Sequence, residues 1–269
     1  MKGTILGRAW AMLALVTAAA MFSGGCATTG INQGQINIIS SSEEVGMGQG
    51  LSVEVEKEFP VLPDADVNAY VQRVGERLAR VSDRPEIEYH FKVIDKDELN
   101  AFALPGGYIY IYTGLMSELD DEAQLAGVLA HEIGHVTARH STERLTTMYG
   151  YQIVAGLLLG ENPNMWAELV ANIFSTGGFL AYSRKNEFEA DRLGVKYAST
   201  AGYDPRGVIE LLGKLRATQE REPGKLEELL STHPPTSARI AEANAVIGSY
   251  TAGGERNRAA YEGVKKRLP

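Results

Sequence analysis

Apolar side chains recur at helical spacing through much of this chain, and the pattern is tightest between Asp120 and His140. There Leu125, Val128, Leu129 and Val136 fall three and four apart behind Asp120, Asp121 and Glu122, carboxylates suited to a helix N-terminus. Upstream, Ser42, Glu43 and Glu44 open a helix that runs to about Phe59, and Pro60 and Pro63 break it. Asp64 to Val81 resumes with Val67, Tyr70, Val71, Val74 and Leu78 on one face. Tyr89 to Ile94 alternates as a strand does. Pro105-Gly106-Gly107 reads as a turn leading into the β-rich run Tyr108 to Tyr112. A small sheet therefore precedes the central helix.

Beyond His140 the pattern stays helical: Gln152 to Leu159, stopped by Gly160-Glu161-Asn162-Pro163; Trp166 to Phe174, stopped by Gly177-Gly178; Ser183 to Thr200, stopped by Gly202; then Pro205 to Ala217 and Pro235 to Ile247. Residues 249–269 read as a mobile tail. The chain shows no internal repeat, and the expected fold is α+β, mostly helical, with one domain over 42–248.

The chemistry sits on the central helix. His131 and His135, in His131-Glu132-Ile133-Gly134-His135, are four apart, so both imidazoles leave one face within reach of one metal ion. Glu132 flanks that face, where its carboxylate can hold a metal-bound water and take its proton. This is the HExxH spacing of zinc metallopeptidases. Two sources compete for the third ligand. His140 lies five residues beyond His135, whereas the metzincin pattern needs a histidine six residues on and a Gly where Ala138 stands. Glu187 and Asp191 share a helix face, so one can bind metal while the other orients a ligand histidine through its second N–H.

The termini and composition change the picture in two ways. Lys2 and Arg8, the apolar run Ala9 to Phe22, and Gly24-Gly25 before Cys26 read as an export signal over 1–25. The run is short for a membrane span, which needs about 20 residues. Cys26, the single cysteine, resembles a lipobox cysteine that is lipidated and becomes the mature N-terminus, although Ser23 stands where Leu is usual. Residues 26–41 are then a tether. Ala27 stands where an inner-membrane retention signal has Asp, which points to an outer-membrane lipoprotein facing the periplasm of a Gram-negative bacterium. The net charge of −8, more negative still without Lys2 and Arg8, argues against nucleic acid or anionic lipid as a partner.

The segments HEIGHVTARH, NAFALPGGYIYIYTGL, SRKNEFEADRLG, AGYDP and STHPPTSARI together resemble metallopeptidase family 48, over roughly Glu43 to Ile247. The resemblance implies a gluzincin-type domain holding one Zn2+ on His131, His135 and Glu187, with Glu132 as general base and Asp191 behind the ligands. It implies that His233 either touches the substrate or caps the zinc as a fourth ligand in a resting state. It also implies that Asn100 hydrogen-bonds the bound peptide. The expected activity is endopeptidase action on misfolded or misassembled envelope proteins. The alternative is a chaperone or scaffold for outer-membrane assembly machinery that uses the same cleft. Tyr108 to Tyr112 is the strand expected to pair with an extended peptide.

Overall fold

Ser40 caps the first helix among the described residues. Its hydroxyl accepts from Glu43 N, and the Glu43 carboxylate accepts from Ser40 N at 2.7 Å, a reciprocal cap. The computed structural model describes residues 31–32, 37, 39–159, 168, 171, 182–221, 229, 232–234, 236–250 and 253–269. The export signal, Cys26, the breaks at 160–163 and 177–178, and the helix expected at 166–174 lie outside or almost wholly outside these residues. Ile36–Pro269 forms one compact unit.

Helix α1 is Ser41–Glu58 and α2 is Ala65–Ala79, capped by Asp64. Strands β1 (His90–Ile94), β2 (Ala101–Ala103) and β3 (Tyr108–Tyr112) follow, with a 3-10 turn over Pro105–Gly107. Then come α3 (Thr113–Glu118), α4 (Glu122–Thr137), α5 (His140–Leu159), α6 (Arg184–Thr200), α7 (Arg206–Arg221), α8 (Ser237–Ile247) and α9 (Arg258–Lys265). The α+β architecture matches the sequence pattern. No helix among the described residues is long and apolar enough to cross a membrane.

The sheet order is β1-β3-β2, with β1 parallel and β2 antiparallel to β3. This corrects the expectation that Tyr108 to Tyr112 pairs with a peptide. β3 is the central strand, so both of its backbone edges are already bonded. Its near-continuous burial, Ile109 through Tyr112, is what a covered strand requires.

Helix α4 is buried at every position, not along a single stripe. Small residues between the large ones let neighbours approach on every side. A Cβ added at Gly134 would stand 3.0 Å from Ala190 O, and one at Gly194 would stand 3.2 Å from His131 N. These two glycines seat the backbones of α4 and α6 against each other, and α2 and α7 close the remaining sides.

Both chain ends of the unit are more ordered than their composition suggests. Ile39, expected in the tether, is buried in the core cluster with Met47 and Leu51. Residues 253–269, expected to be a mobile tail, pack on the N-terminus of α4. Arg256 pairs with Asp121 at 2.8 Å, with Asp204 at 3.1 Å and with Glu210, and its carbonyl accepts from Glu122 N. Tyr261 is fully buried and donates to Met116 O at 2.7 Å. Tyr261→Ala is expected to destabilise the fold by about 3–5 kcal/mol, the usual cost of emptying a buried aromatic site. Denaturant unfolding checks this; a change under about 1 kcal/mol would mean that the segment is peripheral.

Candidate metal centre

The close approach of α4 and α6 decides the site. His131 and His135 stand one turn apart on α4. Glu187 lies in the first turn of α6, which starts where the Ser183 hydroxyl accepts from Asn186 N. A third segment arrives from beyond α7. There His233 N–H donates to Leu229 O at 2.7 Å, and Pro234 leads to the Thr236 cap of α8.

Four ligand atoms converge. His131 Nε2 is 3.1 Å from His135 Nε2 and 3.6 Å from Glu187 Oε2, and His135 Nε2 is 3.4 Å from Glu187 Oε1. His233 Nδ1 is 2.9 Å from Glu187 Oε1 and 3.4 Å from His131 Nε2. Bonds of about 2.0–2.1 Å to a tetrahedral ion put neighbouring ligand atoms about 3.3 Å apart, and these separations bracket that value. All four residues are buried, and their ligand atoms lie within 4.8 Å of one another. Lone pairs from two imidazoles and a carboxylate repel at this range unless a cation or proton lies between them. The donor set fits a zinc ion.

Groups behind these four side chains hold them in place. Asp191 Oδ1 lies 3.0 Å from His131 Nδ1, which leaves Nε2 for the metal. Arg239, brought in by the Thr236 cap, clamps Asp191 with Nε and Nη2 at 2.7 Å each, and its Nη1 reaches Glu187 Oε2 at 2.7 Å. Burial pushes the Asp191 carboxyl up, but Arg239 outweighs it and holds the group below 3.8. For Glu187, burial acts upward and the charges of His233 and Arg239 outweigh it, holding the carboxyl well below 4.5. Burial holds His135 well below 6.5, which favours the neutral imidazole that metal binding requires. Burial also depresses His233, but Glu187 and Glu132 more than offset this and raise it.

Glu132 is buried beside the donor ring, and its Oε2 has no hydrogen-bond partner among the described residues. Burial raises its carboxyl above 4.5, partly offset by His233 and His131. Asn100 precedes β2 and is fully buried, and both atoms of its side-chain amide lack partners among the described residues. A narrow cavity of about 30 Å³, roughly one water's worth, runs between Ala101, Leu115, Val128, Leu211, His131 and Glu132. His140 stands outside the donor ring, with Nδ1 3.0 Å from His135 Nδ1.

Two site residues escaped the sequence reading. Arg239 lies inside STHPPTSARI, but nothing in its spacing says that it turns inward. The Tyr182 ring stacks on His135 with centroids 3.9 Å apart, and its hydroxyl is 2.7 Å from Ser141 Oγ. It follows a glycine-rich stretch with no periodicity to mark it.

The profile of peptidase family M48 matches residues 65–247, a span that includes every ligand atom above. The chain belongs to peptidase family M48. The beta-barrel assembly-enhancing protease of Escherichia coli (strain K12) is 32% identical over 214 residues, covering 76% of this chain and 44% of that protein. The Yersinia pestis protein of the same name is 30% identical over 214 residues, with the same coverage. Mitochondrial metalloendopeptidase OMA1 of Schizosaccharomyces pombe is 32% identical over 212 residues, 78% of this chain and 62% of that protein. This M48 chain thus spans less than two thirds of the length of each of these relatives.

Proposed function

We propose that this M48 chain is a zinc-dependent endopeptidase, held by His131, His135 and Glu187, that hydrolyses polypeptides of the bacterial envelope. The observation that carries the reading is the approach of His131, His135 and Glu187 to within 3.1–3.6 Å of one another through their donor atoms, beside a buried Glu132 whose Oε2 has no hydrogen-bond partner among the described residues. When bound, zinc polarises the scissile carbonyl and lowers the pKa of the attacking water. Glu132 accepts that water's proton and returns it to the leaving amine. Asp191 and Arg239 keep His131 and Glu187 in register throughout.

The sheet supports a place for the peptide. Asn100 O accepts from Tyr112 N, so the antiparallel alternation turns the backbone groups of Ala101 and Ala103 away from β3. Ser141 donates to Ala103 O, which leaves Ala101, on the cavity wall, as the pairing point for an extended substrate. Asn100 supplies the side-chain amide for the same peptide. Backbone pairing suits loose sequence preference and hence many substrates. The bacterial relatives' name, beta-barrel assembly-enhancing protease, supports proteolysis linked to envelope protein assembly; a chaperone role in outer-membrane assembly is the alternative. Casein digestion by the purified chain separates them. The peptidase reading expects cleavage that a chelator stops and zinc restores; binding of unfolded protein without cleavage would favour the chaperone.

We assign His233 a resting role, in which its Nδ1, beside Glu187 and His131, would join the three ligands in holding a bound metal. His233→Ala is then expected to raise casein turnover. A fall of about 10²–10³-fold, the size of losing one oxyanion donor, would instead make His233 part of the catalytic machinery.

Cys26 is assigned the lipid anchor, with the mature protein at the outer membrane facing the periplasm. Cys26→Ala is expected to give soluble protein or uncleaved precursor. Mass spectrometry finding unmodified Cys26 in soluble wild-type protein would remove the anchor.

A further inference from the structure

We propose that His140 and Glu189 form a positioning relay for His135, with His140 Nδ1 accepting the His135 Nδ1–H and His140 Nε2–H donating to Glu189. The inference rests on the zinc reading above and extends it to two residues outside the donor ring. His135 offers Nε2 to the other ligand atoms, 3.1 Å from His131 Nε2 and 3.4 Å from Glu187 Oε1. A neutral imidazole that coordinates through Nε2 carries its proton on Nδ1. That atom faces His140 Nδ1 at 3.0 Å, which must then be the unprotonated nitrogen. The His140 proton is thereby placed on Nε2, which lies 3.4 Å from Glu189 Oε2. Each donor in the series meets an acceptor, and only one tautomer of each ring satisfies it.

The backbone is arranged to bring this about. On a continuous helix a residue five positions after His135 would point about 140° away from it. α4 instead ends at Thr137, and Arg139 takes a left-handed φ of 59° before α5 begins at His140. The turn sends His140 back behind His135. Arg139 is held there by Glu44 at 2.8 Å and by the carbonyl of Ile39. A non-glycine residue in this region carries backbone strain, and it persists where surrounding contacts fix it. His140 and Glu189 are both buried, so the relay is shielded from water. The two ligand histidines are thus oriented by different devices. His131 has the Asp191 carboxylate directly, and His135 has a carboxylate acting through a second imidazole.

The test compares two amides of the purified full-length chain by chelator competition for zinc. In His140→Asn the side-chain oxygen falls where Nδ1 was and can accept from His135. In His140→Gln the amide falls where Nε2 was and leaves the His135 N–H unmet. His140→Asn is expected to keep wild-type affinity within about threefold, and His140→Gln to weaken it by about 10–100-fold. The cobalt-substituted visible spectrum should shift in Gln and stay in place in Asn. Glu189→Gln, a milder change at the far end, should weaken zinc in the same direction. Equal affinities for Asn and Gln, with wild type holding one zinc, would overturn the relay and leave the metal centre intact. A wild-type chain that binds no zinc would overturn the centre itself.

Discussion

Glu132→Gln is expected to lower casein turnover by about 10²–10⁴-fold, the contribution of a positioned general base, while zinc content and fold stay unchanged. The amide has the carboxylate's shape but cannot accept the water's proton. Zinc should remain because Glu132 is not one of the converging ligand atoms. The same residue is expected to set the acid side of the pH profile. Its carboxyl is raised above 4.5 by burial, with His233 and His131 partly offsetting, and the base works only when ionised. Wild-type kcat/KM should therefore fall as pH drops through a value higher than 4.5. Undiminished cleavage by Glu132→Gln would mean that another group takes the proton.

Arg239→Leu is expected to destabilise the protein by about 3–5 kcal/mol, the usual result of stripping one partner from a buried ion pair. Arg239 serves two buried carboxylates, Asp191 through a bidentate clamp and Glu187 through Nη1. Neither loses its desolvation cost when the guanidinium goes. The sign with pH follows from Asp191. Its folded carboxyl is held below 3.8, so the clamp's contribution is present above that value and is lost as pH falls through the depressed one. At neutral pH the full effect should appear in denaturant unfolding. Zinc should be held more weakly as well, since Asp191 no longer stays fixed behind His131. A variant as stable as wild type, with unchanged zinc affinity, would show that the clamp is dispensable.

The local parts of this site were legible in the sequence because they depend on helical spacing. His131 and His135 at four residues, and Glu187 and Asp191 at four, land on single faces whatever the rest of the chain does. Asp64, Asp121 and Ser183 marked their helices by the same local chemistry. What was not legible depends on pairings across long separations. Whether Tyr108 to Tyr112 lies at an edge or at the centre is decided by β2, which pairs on the side away from β1. The segment at 253–269 looks like a solvated tail because its anchors are distant: Arg256 meets Asp121, and Tyr261 meets Met116. His140 is close to His135 in sequence, yet its facing is set by the left-handed turn at Arg139, which residue type does not announce. That Glu187 and not His140 stands with His131 and His135 turns on that one dihedral and on the Gly134 and Gly194 contact that draws α6 in.

Metal content is the most direct measure of the centre. Wild-type protein, freed of loose metal by dialysis and assayed by mass spectrometry, is expected to hold about one zinc per chain. His131→Ala, His135→Ala and Glu187→Ala should each abolish it, and His140→Ala should weaken zinc without removing the site. Zinc retained in Glu187→Ala and lost completely in His140→Ala would contradict the assignment.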